Sequence, residues 1–148
     1  MSYEQFFQKF MAEKVPVAQA MNIEIVEASE QGITLKAPLS ANINDKGVAF
    51  GGSLFSIASL CSWAVVDSLL KRHNQEAIVF IHTSQTRFST PVVSDFKVSC
   101  LAPTGKDLDM FLKTFNRKGK ARLTLAATVY EEEALAFESV SEFVAVRK

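Results

Sequence analysis

The chain has 148 residues, 48% of them apolar, which suits one compact domain with a real core and leaves no room for two of ordinary size. Lys and Arg total 16 and Asp and Glu total 16, so the formal net charge is zero. A neutral chain is poorly suited to nucleic-acid binding through phosphate neutralisation, and evenly spread charge without polar tails argues against disorder.

Ser2 is placed to cap a short amphipathic helix running to about Lys14, with Phe6, Phe7, Phe10 and Met11 on one face. Val15-Pro16 stops it, because a residue before proline disfavours the helical region. Ile23 to Val26 and Ile33 to Leu39 alternate, the second with Ile33, Leu35, Ala37 and Leu39 on one side, and Ser29 to Gly32 supplies the turn of a hairpin. A non-periodic loop from Ser40 to Phe50 ends in Gly51-Gly52. One long helix is expected from about Ser53 to Arg72, apolar nearly all round and therefore buried. Its most apolar run, Leu54 to Val66, is broken by serines, is followed by Asp67, and falls short of the ~20 residues of a membrane span.

Strands are expected at Ala77 to Ser89, Phe96 to Leu101, Leu108 to Phe115, Ala121 to Tyr130 and Leu135 to Val146. Pro91, Pro103-Thr-Gly105, Asn116-Arg-Lys-Gly119 and Glu131 to Glu133 separate them. One buried helix with six or seven mostly antiparallel strands predicts an α+β sheet wrapped around a helix. The Phe-, Val- and Leu-rich strands exceed what one helix can cover, which leaves apolar surface for self-association. Cys61 and Cys100 lack CxxC spacing and lie in apolar stretches, the pattern of reduced core thiols in a cytoplasmic protein. The start Met-Ser-Tyr-Glu-Gln has neither the basic beginning nor the apolar region of a secretory signal. The expectation is a cytoplasmic protein without membrane or nucleic-acid partners.

The loop Asn42-Ile-Asn44-Asp45-Lys-Gly47-Val-Ala-Phe50-Gly51-Gly52 carries the chemistry most readily. Paired glycines permit a tight turn and close backbone approach. The first N–H groups of the following helix lack intrahelical partners and carry the positive end of its dipole. An oxygen gaining negative charge is stabilised at such a place, and Asn44 adds an amide donor. A capped helix start with glycines for packing is the plainer alternative.

Asn44-x-x-Gly47-x-x-Phe50-Gly51-Gly52, the helix behind it, and Arg87-Phe-Ser-Thr-Pro91-Val resemble the hot-dog fold of acyl-thioester enzymes. Pro38-Leu-x-x-Asn42-x-Asn44 through Phe50-x-Gly52-Ser53-Leu54, then Ser62-Trp63, is similar to a narrower group. These are the stand-alone hot-dog proteins first catalogued as thioesterases and understood as malonyl-acyl-carrier-protein decarboxylases. Relatives fuse the domain to an N-terminal acetyltransferase domain, absent from these residues. The resemblance spans residues 1–148 as a single hot-dog domain. It implies a homodimer with sites near the interface, and a malonyl-to-acetyl conversion that primes fatty-acid synthesis.

Departures from the thioesterase pattern carry information. Phe50 stands where many of these enzymes have the His of a His-Gly-Gly triplet. Ser59 stands seven residues after the second glycine, where an acidic residue is common. Val48 stands where a Phe-Gly-Gly subgroup has Asp. Hydrolysis needs an activated water or a nucleophile with a base, whereas decarboxylation needs a poorly solvated carboxylate and donors on the enolate oxygen. The resemblance makes Asn44 the catalytic asparagine, with Gly51 and Gly52 as backbone donors and Phe50 as an apolar wall. Asp45, Ser59 and Arg87 are the other candidate substrate contacts, Arg87 for a carboxylate or phosphate.

A thioesterase using Asp45 as base, and a non-catalytic acyl-thioester binder, remain as alternatives. No metal-ligand spacing and no phosphate loop are present. No bound cofactor is expected, because phosphopantetheine arrives with acyl carrier protein or coenzyme A. Lys113, Arg117, Lys118, Lys120 and Arg122 form a basic cluster around an expected hairpin, suited to either partner or to solvent. His73, His82 and Asp67 are expected to be structural.

Overall fold

The computed structural model describes residues 1–148. Helix α1 (Tyr3–Lys14) starts in a reciprocal cap: the Ser2 hydroxyl accepts from the Gln5 N–H while the Gln5 side chain accepts from the Ser2 N–H. Two orphan amides are satisfied at once. Phe7 and Met11 are buried. Pro16 occupies the first turn of a new short helix, α2 (Pro16–Ala20), where its missing N–H costs nothing.

Strands β1 (Glu24–Ser29) and β2 (Gly32–Ala37) form the expected hairpin, with Ile33, Leu35 and Ala37 buried. After a single 3-10 turn at Leu39–Ala41 and the Asn42–Phe50 loop comes α3 (Gly51–Arg72). The remaining strands are β3 (Ala77–Phe88), β4 (Phe96–Leu101), β5 (Lys120–Glu131) and β6 (Ala134–Arg147). All six join one antiparallel sheet in the order β1-β2-β4-β5-β6-β3, and α3 packs against β2 to β6. This is the hot-dog arrangement.

The segment Leu108 to Phe115 is not a strand. It lies within helix α4 (Gly105–Lys118), so the basic cluster surrounds a helix end and the start of β5 instead of a hairpin. The physical reason lies in the period. Leu108, Phe111, Leu112 and Phe115 recur at helical spacing, and Phe111 and Phe115 are buried while Met110, which alternation would bury, is exposed. Gly119 in the left-handed region ends the helix, its N–H bonding to the Phe115 carbonyl at 2.8 Å. Helix α4 packs on β5, which pairs with β4 only at Ser99/Thr128 and Cys100/Ala127.

Helix α3 also extends beyond the Leu54–Val66 run. Its 22 residues are long and apolar enough to cross a membrane by length and composition, but 67% of its most apolar window is buried within the fold. The helix is apolar because the sheet wraps it. Asp67 is the one carboxylate in that core: it accepts from the Tyr3 hydroxyl at 3.0 Å and pairs with Lys71 Nζ at 2.8 Å, while Lys71 sits 4.2 Å from the Phe6 ring centre. Phe10 stacks on Trp63 with ring centres 4.7 Å apart. Helix α1 is thereby pinned to α3 by one polar clamp and one aromatic stack.

Removing the Tyr3 hydroxyl by Tyr3→Phe takes a hydrogen bond from a buried carboxylate, and is expected to cost about 1.5–3 kcal/mol in denaturant unfolding; an unchanged midpoint would remove the clamp from the account. Burial also pushes the Cys100 thiol up to about 11 and raises the Cys61 thiol well above its ordinary value, so both stay protonated at neutral pH. Neither is expected to react with a maleimide until the chain unfolds.

Candidate active site

The Asn42–Phe50 loop folds as a miniature hairpin. Ile43 bridges Ala49, the Asn44 N–H bonds to the Val48 carbonyl at 2.8 Å, and Gly47 takes the left-handed turn position at φ 80°. Its base is anchored on both sides. The Phe50 N–H donates to the Asn42 carbonyl at 2.7 Å, and the Ala49 N–H to the Val92 carbonyl at 2.8 Å. The Asn42 side chain, buried, donates to the Met21 and Pro38 carbonyls, which ties the loop to the end of α2.

Within this frame Asn44 has one fixed amide orientation. Its Oδ1 accepts from the Lys46 N–H at 2.9 Å and from the Val48 N–H at 3.2 Å. Two amide donors on one atom identify that atom as the oxygen. The Nδ2 group makes no hydrogen bond within the chain and is left as a donor at a partly exposed position.

The start of α3 is uncapped. Phe50 is the N-cap residue, has no side-chain acceptor, and lends only its carbonyl to Leu54. The N–H groups of Gly51, Gly52 and Ser53 therefore have no partner in the chain. Two aromatic rings flank them. A Cβ on Gly52 would lie 2.5 Å from the Phe50 ring, and one on Gly51 would lie 3.2 Å from the Phe88 ring. The ring over Gly52 is the far end of an exposed side chain, so a Cβ there would push Phe50 aside without meeting backbone. Beside it a hollow of about 220 Å³ is lined by Val48, Gly51, Leu54, Phe88, Pro91 and Ala136.

The expected site residues do not all meet here. Asn44, Phe50, Gly51 and Gly52 belong to the one loop–helix unit. Ser59 follows Gly52 by seven residues, hence on the same helix stripe about 10 Å further on, with its Oγ inside the fold and unpartnered. Asp45 sits at the loop tip with its side chain 80% exposed, paired to Lys46 at 3.1 Å. Arg87 lies on the opposite face of β3 from Phe88, since side chains alternate, and stands in register with Glu138. Within one chain the Arg87-Phe88 motif thus presents the phenylalanine, not the arginine, to the helix start.

Sequence reasoning missed Phe88 for this reason, although strand alternation across the motif held the signal. It also missed the hydroxyls of Ser84, Thr86, Ser139 and Ser141, which bond to one another at 2.9–3.3 Å on the face of β3 and β6 that carries Phe88. His73 bonds the Leu69 carbonyl through Nδ1 at 2.9 Å at the end of α3, and Asp67 belongs to the Tyr3 clamp. No group of three metal-ligating side chains occurs.

Comparison with known proteins agrees with this architecture. A protein of unknown function from Chlorobaculum tepidum is similar at 28% identity and a TM-score of 0.92, over 98% of this chain and 94% of that one. A "putative thioesterase" from Shewanella oneidensis aligns at 22% identity and a TM-score of 0.87, over 97% of each chain. The Escherichia coli PaaI protein, from a phenylacetic acid degradation operon, shares the fold at 14% identity and a TM-score of 0.66, over 99% of this chain and 94% of that one. Residues 4–147 match the family described as "Putative thioesterase (yiiD_Cterm)". With nearly its whole length matched, a hot-dog fold, and a glycine pair opening its central helix, the chain belongs to the YiiD C-terminal thioesterase-like family.

Proposed function

We propose that the chain decarboxylates a malonyl thioester carried on acyl carrier protein, giving the acetyl thioester, a primer for fatty-acid synthesis. The observation that carries this reading is the Asn44 amide, whose oxygen is occupied by two loop N–H groups and whose nitrogen is free to donate. The carboxylate carbon–carbon bond breaks, carbon dioxide leaves, and the bonding electrons move into the thioester to form an enolate. Asn44 Nδ2–H and the free N–H groups of Gly51 and Gly52 are the donors for that oxygen. The positive end of the α3 dipole adds to them. Water then protonates the carbon. Phe50 and Phe88, both exposed in the single chain, are the apolar surfaces that would keep the departing carboxylate poorly solvated once a partner covers them.

Hydrolysis, the activity in the family's description, would require a base. The carboxylate nearest the loop is Asp45, which is solvent-exposed and ion-paired, and the α3 stripe carries Ser59 where a carboxylate would serve. Asn44→Asp keeps an acceptor for the two loop N–H groups and replaces the donor with a second oxygen. It is expected to lower kcat for decarboxylation about 10²–10³-fold at unchanged thermal midpoint. Asp45→Ala is expected to retain the rate, measured as carbon dioxide release from malonyl-carrier protein. Loss of activity in Asp45→Ala with retention in Asn44→Asp would replace this reading with hydrolysis by Asp45.

The reading includes a homodimer. Strand β1 is short, bulged and lined by Glu24 and Glu27, features that protect a sheet edge. Strand β3 is the other edge, 12 residues long, with Ile78, Phe80, Ile81 and Phe88 exposed. A bare apolar edge of that length is suited to pairing with its own copy. Phe80→Lys combined with Ile81→Lys is expected to sediment as a monomer; a dimer of unchanged stability would place the interface elsewhere.

A further inference from the structure

The chain is electrically divided along β3. Gly51 lies against Phe88, the last residue of that strand, and the turn between β5 and β6 at the same end carries Glu131, Glu132 and Glu133, with Asp45 on the site loop. The first residue of β3, Ala77, is in register with Arg147, and the Lys148 N–H bonds to the Glu76 carbonyl. Lys148, Lys120, Lys118, Arg117, Lys113 and Arg72 belong to that end, at the finish of β6, the start of β5, the last two turns of α4 and the last turn of α3, together with the exposed carboxylate of Glu76. All six are exposed, and none is in an ion pair. Eleven residues of strand, about 36 Å, separate Ala77 from Phe88. The cations are therefore remote from the site of their own chain, where Asp45 is already paired with Lys46 and the Glu131 to Glu133 turn outnumbers Arg87.

Antiparallel pairing of β3 with its copy reverses this. The first residue of one β3 then runs beside the last residue of the other at about 5 Å, and β6 and β5 of that copy lie at about 10 and 15 Å from it. We propose that, in the dimer of the preceding section, the cationic end of each subunit forms the docking surface for an acidic carrier protein serving the partner's Asn44–Gly52 site. This rests on that section's placement of the site and of the β3 interface. Lys148, Lys120 and Lys118 span three elements instead of converging on one point. That spread matches the face of a protein better than one phosphate group, and charge complementarity on such a scale acts through encounter and orientation.

The test is a cross-link that needs no turnover. Phe88→Cys places a thiol beside Gly51, and the two natural cysteines are buried. The probe is a carrier protein whose pantetheine ends in a thiol-reactive haloacetyl group. The Phe88→Cys dimer is expected to cross-link. Adding Lys118→Glu, Lys120→Glu and Lys148→Glu to the same chain is expected to slow it about tenfold. Mixed dimers of that quadruple variant with the wild-type chain, isolated by two affinity tags, are expected to recover, because the reactive chain's docking surface now comes from its partner. No slowing in the quadruple variant, or no recovery in the mixed dimer, would overturn the proposal. So would a Phe88→Cys dimer that fails to react. Equal slowing with haloacetyl-coenzyme A would replace the carrier protein with phosphate as what the cations read. A triple Lys→Gln variant, folded by circular dichroism, repeats the measurement should the charge reversals unfold the chain. Failure of the decarboxylase reading would show as absent carbon dioxide release and would leave the cross-link pattern intact.

Discussion

A buried helix can be satisfied along its length by its own hydrogen bonds, but its first amides have nowhere to turn unless something caps them. In α3 nothing does. The residue at the cap is phenylalanine, and the next two are glycines with no side chain to fold back. The sheet holds the rest of that helix in apolar contact, so its start is fixed in space by packing that has no other outlet. The loop before it is held separately, by the Phe50–Asn42, Ala49–Val92 and Asn42–Met21 bonds. The free amides of α3 and the free amide of Asn44 are thus set by two independent sets of contacts, which is the requirement for donors that stabilise charge without reorganising.

The same constraint explains the composition around the site. A cap of Ser or Asp at position 50 would stabilise the helix by about 1 kcal/mol and would occupy the amides that the proposed reaction uses. Phe50 instead lays its ring beside Gly52, which stays exposed, and Phe88 lies against Gly51. Stability is recovered elsewhere: in the Asp67–Lys71–Tyr3 clamp, in the Phe10–Trp63 stack, and in a core that places Phe7, Phe115, Phe137 and Phe143 fully out of water.

Most of the fold was legible because it is written in simple periods. The β1–β2 hairpin, the buried helix and four later strands follow from alternation or from continuous apolar runs. Helix α4 was not, because Met110-Phe111-Leu112 places three apolar residues in a row between Leu108 and Phe115, a pattern that satisfies a strand reading at first sight. The loop of Asn44 was legible as a motif, but its hydrogen bonds were not, since they depend on which oxygen meets which amide. Arg87 shows the limit most clearly. Its neighbour in sequence reaches the site and it does not, and only the register of β3 on β6 decides between them.

The most direct test of the account is intact mass spectrometry of malonyl-carrier protein after incubation with the purified chain. The account predicts loss of carbon dioxide with the thioester preserved, leaving acetyl-carrier protein. Appearance of the free carrier thiol with release of malonate would contradict it and make the site hydrolytic.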